Sequence, residues 1–246
     1  MAERAIPLTS RLRAQFGLKL GLTVVLWFGF CIPYFSIQLL RLFPSHEVPI
    51  TVIDRTIAFN PDWVFAYQSI YLLMPLLPWL CTRRDELFSY ALGFFAMCLP
   101  GFVCFLFFPV MGPRPEAAPS HAAYAMLVGY DGSGNAWPSL HVGLALYTFL
   151  FGWRLIRDEL SQFGRAAYVF AAASWTLLIA YSTLATKQHW LVDLPPGLML
   201  ACLGDLVARK FAPFGPRSAL PVHGEQYAMA PAASVAGRAA FSGNRS

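Results

Sequence analysis

Apolar residues in this chain come in long unbroken runs, not in the alternation of a half-buried strand or the narrow stripe of a soluble helix. Six runs stand out, at about 17–40, 63–81, 87–108, 140–157, 166–186 and 189–208. The hydrocarbon core of a bilayer takes roughly 20 apolar residues in helical form, and each run comes near that length. Lipid offers no partner to a free N–H or C=O, so each run has to be a helix. The pattern predicts an all-α membrane protein, a six-transmembrane helix bundle filling residues 1–211. The segment 212–246 is rich in Ala, Pro, Gly and Ser and reads as a disordered cytoplasmic tail. There is no internal repeat, so the bundle reads as one membrane domain.

The first run follows Arg4, Arg11 and Arg13 and contains Lys19, a basic flank that a cleaved signal peptide would also have. Its apolar stretch is too long for such a peptide and lacks a small-x-small cleavage site. It reads as a retained signal anchor, kinked at Pro33.

Composition sharpens the picture. Hydrophobic residues make up 57% of the 246 and charged residues only 13%, against about a quarter charged in soluble domains. Of the 18 Lys and Arg residues, only Arg41, Arg55, Arg114 and Lys187 fall in loops 41–62, 109–139 and 186–189. The rest lie on the other side. By the positive-inside rule both termini face the cytoplasm and those three loops face outward. The net charge of +5 is then a topology signal, and it argues against nucleic acid as a partner. The expectation is a multi-pass protein of a plasma or inner membrane, surrounded by membrane lipids. Cys31, Cys81, Cys98, Cys104 and Cys202 are odd in number, fit no metal or disulfide spacing, and read as small core residues.

Ionisable groups inside spans are functional candidates, and here they gather at one end. His141 opens the fourth run in NAWPSLHVGLAL. His189 opens the sixth, and Asp193 follows four residues on, a spacing that would put both on one helix face. Arg114 lies in FPVMGPRPE beyond the third run, and Lys187 stands two before His189. All five share the outer interface. An Asp against one imidazole nitrogen fixes the tautomer and frees the other nitrogen to attack. A second histidine can protonate a leaving group. Cations can hold a phosphate, and the helix start at Pro138 and Ser139 aims N–H groups at an anion. These parts suit phosphoryl transfer through a phosphohistidine, with no metal or other cofactor required.

Two stretches resemble a known family. PSLH at 138–141 and S-x6-H-x3-D at 182–193 are similar to the second and third motifs of the type 2 phosphatidic acid phosphatase superfamily. The resemblance implies a membrane-embedded six-helix enzyme that removes or transfers phosphate groups of lipids. It implies His189 as nucleophile, Asp193 as its orienting group, His141 as acid for the leaving group, and Arg114 with Pro115 from the first motif. Ser139, Ser182 and Lys187 become candidate phosphate contacts beside Arg114. Three positions depart from the pattern: Phe107 stands where the first motif has lysine, Leu140 where the second has glycine, and Thr183 where the third has arginine. The closer likeness is to the branch with inositol phosphorylceramide synthases and their bacterial relatives, in which a phospho-head group goes to a lipid alcohol. The implied substrate is a phospholipid or isoprenoid phosphate, met at the extracytoplasmic face.

Plainer readings stand beside these. Ser139 also reads as a helix cap, Ser182 as a helix–helix hydrogen bond, and Lys187 as a side chain snorkelling to the interface. A transporter would need polar groups at mid-membrane depth, and the chain has few. A zinc site of His141, His189 and Asp193 is a further alternative. Asp205 and Arg209, four apart at the inner end of the last run, read as an ion pair.

Overall fold

Backbone polar groups in apolar surroundings must be satisfied within the chain, and helices satisfy them here. The computed structural model describes residues 6–115 and 121–211, all within the unit Met1–Phe214. The predicted tail, 212–246, lies outside the described residues. Among these residues there is no strand, only isolated bridges joining His46, Val110 and Asn135. Ten α-helices follow one another: α1 Leu8–Arg13, α2 Phe16–Leu40, α3 Val52–Thr56, α4 Val64–Gln68, α5 Ile70–Leu80, α6 Arg84–Phe107, α7 Ala122–Tyr130, α8 Leu140–Ile156, α9 Gln162–Ala185 and α10 Leu194–Phe211.

Among the described residues five segments are long and apolar enough to cross a membrane: Phe16–Leu40, Pro61–Leu80, Arg84–Phe107, Gln162–Ala185 and Leu191–Phe211. They match five of the six predicted runs. The remaining run forms α8, which has 17 residues, the short end of what spans a bilayer. It is the most enclosed helix, with contacts to α5, α6, α9 and α10. The sixth run starts later than its hydropathy implied. Residues 191–193 form a single 3-10 turn and α10 begins at Leu194, so His189 stands on the connection before the helix.

Large apolar side chains such as Leu20, Val24, Phe28, Ile32, Phe170 and Leu206 face outward, as expected where the solvent is hydrocarbon. Between helices the contacts are small. A Cβ on Gly93 would lie 2.5 Å from Gly204 O, and one on Gly204 would lie 2.7 Å from Gly93 O, so α6 and α10 cross backbone to backbone. α8 and α10 meet likewise at their N-terminal ends, where a Cβ on Gly197 would fall 2.2 Å from Ser139 O. Buried hydroxyls find carbonyls on neighbouring segments: Ser89 donates to Ala208 O, Tyr90 to Met74 O and Tyr147 to Tyr90 O.

The end opposite the candidate site is tied by charge. Asp205 pairs with Arg209 as expected, at 2.7 Å, and also with Arg154 at 3.0 Å. Arg11 pairs with Glu159, and buried Lys19 donates to the carbonyls of Arg11 and Trp79. Of the cysteines, Cys81 and Cys98 are buried, as core residues are, while Cys202 is exposed.

Gly197→Ala places a methyl against the Ser139 carbonyl, a contact between two main chains that no rotamer relieves. It is expected to cost about 1–3 kcal/mol by overpacking, more than the roughly 1 kcal/mol that Ala gains over Gly in a helix. A lowered melting temperature in detergent, accompanied by lost activity, is the expected result.

Candidate active site

The end of α9 decides where His189 sits. Thr186 caps the helix and Lys187 follows at φ 54°, a left-handed conformation that costs a side-chain-bearing residue about 1–2 kcal/mol. Lys187 N–H donates to Leu184 O at 3.2 Å and Gln188 N–H to Thr183 O at 3.0 Å. These are the two bonds of a Schellman closure, with lysine in the place glycine usually takes. His189 N–H also reaches Thr183 O, at 3.2 Å. The turn therefore holds His189 by its main chain before α10 begins.

His189 and Asp193 are near each other through this turn and not by sharing a helix face. Nδ1 of His189 lies 2.7 Å from the carbonyl of Ala136 and 3.5 Å from Asp193 Oδ2. A carbonyl can only accept, so Nδ1 carries the proton and Nε2 keeps its lone pair. The main tautomer lock is thus a main-chain carbonyl, with the carboxylate as a nearby charge. Asp193 is fully buried, its Oδ2 accepts from Trp190 N–H at 2.7 Å, and its Oδ1 has no protein partner.

His141 comes from the first turn of α8. Ser139 N–H donates to Asp193 O at 2.9 Å, and this bond, with the glycine contact behind it, brings the two helix starts together. The imidazoles of His141 and His189 lie 5.9 Å apart between centroids, inclined by 60°. Both are almost fully buried. His141 Nε2 and Ser139 Oγ have no protein partner. Ser139 is the N-cap residue by backbone, but its side chain makes no capping bond.

The first-motif loop closes the site from a third side. A Cβ on Gly112 would lie 2.5 Å from Gln188 O, so only glycine lets this loop approach the turn. Trp190 Nε1 donates to Met111 O at 2.9 Å. Arg114 Nη2 donates to Gln188 Oε1 at 2.9 Å, and its Nε is buried without a protein partner. Gln188, which the sequence reading passed over, holds that guanidinium and in turn donates to Tyr124 Oη and Thr186 O.

Two candidate phosphate contacts are placed otherwise. Lys187 Nζ donates to Asp54 O at 3.0 Å and to Ile57 O at 2.6 Å, which ties the segment around α3 to the turn. Ser182 Oγ donates to Ile179 O in its own helix at 2.7 Å. It makes no helix–helix bond, and its donor is not available to a phosphate. Among the described residues no group of three His, Cys, Asp or Glu side chains is disposed to hold a metal ion, so the zinc alternative has no ligand set.

Asp54 was also missed, although TVID at 51–54 carries the signature of a capping box. Its carboxylate accepts from Thr51 N–H and Oγ1 and, at 2.8 Å, from Leu191 N–H just past His189. Burial pushes this carboxyl up, but the bonds from Thr51 and Leu191 and the nearby Lys187 charge outweigh it and hold the group below the ordinary 3.8.

The family-model comparison covers the same ground. Residues 87–214 match the PAP2 superfamily, just over half of the 246 residues and a range that includes His141, His189, Asp193 and Arg114 but not Asp54. The chain belongs to the PAP2 superfamily. Members of the PAP2 superfamily are generally phosphatases or phosphotransferases, and membership points to that class of activity. No curated protein and no solved structure matches the chain.

Two outcomes follow from the contacts of the segment around α3. Because the folded pKa of Asp54 is depressed, its charge contributes stability above about pH 4, and that contribution is lost as pH falls through the folded value. Asp54→Asn is therefore expected to melt lower than the parent at about pH 6, with the gap closing below about pH 4. Lys187→Met keeps the strained backbone and removes both carbonyl ties. It is expected to speed proteolysis in the 51–60 segment with KM little changed; a rise in KM alone would instead mark the ammonium as a phosphate ligand.

Proposed function

We propose that this PAP2 protein is an integral membrane lipid phosphate phosphatase that works through a phosphohistidine at the extracytoplasmic face. The reading is carried by one observation: two buried imidazoles from separate helix starts lie 5.9 Å apart, one of them with Nδ1 held on a carbonyl and Nε2 free. In this reading α8 also spans, as the fourth of six, both termini are cytoplasmic, and the protein resides in a plasma or inner membrane. The substrate is a phospholipid or isoprenoid phosphate whose tails lie between helices. No metal takes part.

Nε2 of His189 attacks phosphorus, and the new N–P bond forms as the bond from phosphorus to the leaving oxygen breaks. His141 gives its proton to that oxygen. Asp193, at 3.5 Å, offsets the positive charge that His189 gains. Water then attacks phosphorus and gives a proton to His141, and the N–P bond breaks, so both histidines return to their starting states. Arg114, the free Ser139 hydroxyl and the N–H groups opening α8 face the phosphate oxygens. Lys187 holds the turn through its two carbonyl bonds. Ser182 acts only as an acceptor.

A specific observation favours head-group transfer as a second reading. Phe107 faces outward against Phe43, at 5.3 Å between rings, and Thr183 is fully buried, so neither position that carries a cation in the family pattern supplies one here. A phosphate monoester has up to two negative charges to hold, whereas a diester has one. A site with a single well-placed guanidinium suits the diester better, and a lipid alcohol then takes the place of water.

His189→Ala is expected to abolish turnover. Asp193→Asn should keep the fold and lower kcat by about 100-fold or more, with KM changing less. Purified protein given labelled phosphatidic acid or phosphatidylinositol, with and without a ceramide-type alcohol, separates the readings: free phosphate marks the phosphatase and a new phosphodiester lipid marks the transferase. Full turnover by His189→Ala would overturn both.

A further inference from the structure

We infer that Tyr67 and Asp131 form a positioning pair for His141, a phenol and a carboxylate behind the second imidazole as Asp193 stands behind the first. The inference rests on the reading of His141 as proton donor. Tyr67 belongs to α4, 74 positions before His141, and Asp131 is the residue that caps α7. Neither lies in the three motifs.

The geometry is that of a ring held by rings. Tyr67 stacks on His141 at 3.9 Å between centroids and 25° between planes, and Tyr71 meets it edge-on at 5.7 Å and 81°. Among the described residues no hydrogen bond holds the imidazole, and its Nε2 has no protein partner. The orientation of His141 is therefore set by aromatic contact. That leaves its nitrogens for substrate.

Behind Tyr67 lies a buried charge. Asp131 is only 3% exposed. Its Oδ1 accepts from Tyr34 Oη at 2.7 Å and from Gln38 Nε2 at 3.1 Å, and its Oδ2 accepts a longer bond from Tyr67 Oη at 3.3 Å. Among the described residues no Lys, Arg or His pairs with it. A carboxylate so buried without a counter-ion is costly for structure alone, which makes it a candidate for function.

The chemistry joins the two halves. A phenol that donates to a carboxylate becomes richer in electrons, and a richer ring attracts a stacked cation more strongly. His141 is cationic before it gives up its proton and neutral after. The pair therefore favours the state from which the proton is delivered, and it fixes the ring plane. The groups facing His141 divide by sign. His189 from the turn disfavours a second positive charge, and Arg114 from the first-motif loop acts in the same sense through its field on Tyr67. Tyr67 and Tyr71, with Asp131 behind them, oppose that. Asp193 stands on the far side, beside His189.

The test is the pH profile of kcat/KM in the full-length protein in detergent or bilayers, for Tyr67→Phe, Asp131→Asn, the double variant and Tyr67→Leu. The alkaline limb reports loss of the proton from the donor. Removing what stabilises the protonated form lets that proton leave at lower pH, so the limb should move down, by about half a unit to one unit in Tyr67→Phe and Asp131→Asn. kcat should fall roughly 10-fold with KM within about twofold. The double variant should be no worse than either single one, because the two act as a unit. Tyr67→Leu should show a larger shift; if it does not fold, the two single variants and their double decide the matter. Limbs unmoved in folded Tyr67→Phe and Asp131→Asn, or losses that simply add, overturn the inference. His189→Ala measured alongside keeps the cases apart: its residual turnover would sink the phosphohistidine reading, whereas an inactive His189→Ala with unmoved limbs sinks only the positioning pair.

Discussion

The main chain of α8 touches the main chain of α10 at Ser139 and Gly197, where even a methyl group would collide, and the site is assembled from that contact. With the two helix starts this close, Ser139 N–H reaches Asp193 O. The segment leading into α8 then passes near enough for Ala136 O to take the proton of His189 Nδ1 at 2.7 Å. One contact thus sets the distance between the imidazoles and, through the carbonyl, the tautomer of one of them. In lipid there is little hydrophobic drive between helices, and small residues gain dispersion by letting backbones approach. The same glycine that allows the crossing therefore helps to stabilise it and to build the chemistry at its end.

The distribution of unsatisfied polar atoms follows the same logic. Arg114 Nε, Asn135 Nδ2, Ser139 Oγ, His141 Nε2 and Asp193 Oδ1 are all buried without a hydrogen-bond partner, and all lie on the segments that meet at the candidate site. Each is expensive to leave so. Elsewhere in the bundle the hydroxyls of Ser89, Tyr90 and Tyr147 each find a carbonyl, although that of Thr148 in α8 does not. The segment around α3 bears part of the cost of holding the site: Asp54 on Leu191 N–H, Lys187 on two carbonyls, and Asn60 N–H on Ala185 O fix both sides of the turn that carries His189.

Much of this was legible in the sequence because lipid imposes simple rules. The five segments long enough to span follow from apolar run length, and polar residues are so scarce that His141, His189, Asp193 and Arg114 stand out. The errors have local causes. The sixth run was started at His189 because hydropathy continues through Trp190 and Leu191, while the Schellman closure before it is hidden by a lysine in the left-handed position. Lys187 looked like a phosphate ligand because charge near a site reads as function; its partners are carbonyls more than 100 residues away, which no spacing shows. Tyr67 and Asp131 were invisible for a related reason. A tyrosine in an apolar run looks like an interfacial or core ring, and only the packing of α4 against the start of α8 gives it a histidine to stack on.

The three departures from the family pattern are explained by the same packing. Leu140 is 3% exposed and lies across Gly101, where a Cβ would come within 2.8 Å of its Cδ2. The space that a glycine at 140 would leave in α8 is supplied instead by a glycine in α6, so volume is conserved across the contact and His141 keeps its place. At 183 the side chain is buried and its hydroxyl donates to Ala180 O, while its carbonyl takes the N–H groups of Gln188 and His189; an arginine there would have to carry its charge out past the very turn it helps close. At 107 the ring faces outward with Phe43. The substitutions at 183 and 107 remove positive charge, yet they leave the two imidazoles 5.9 Å apart. On the reading proposed above, a site altered in this way keeps the attack geometry and loses charge capacity, and that combination limits the anion it can hold more than the bond it can break.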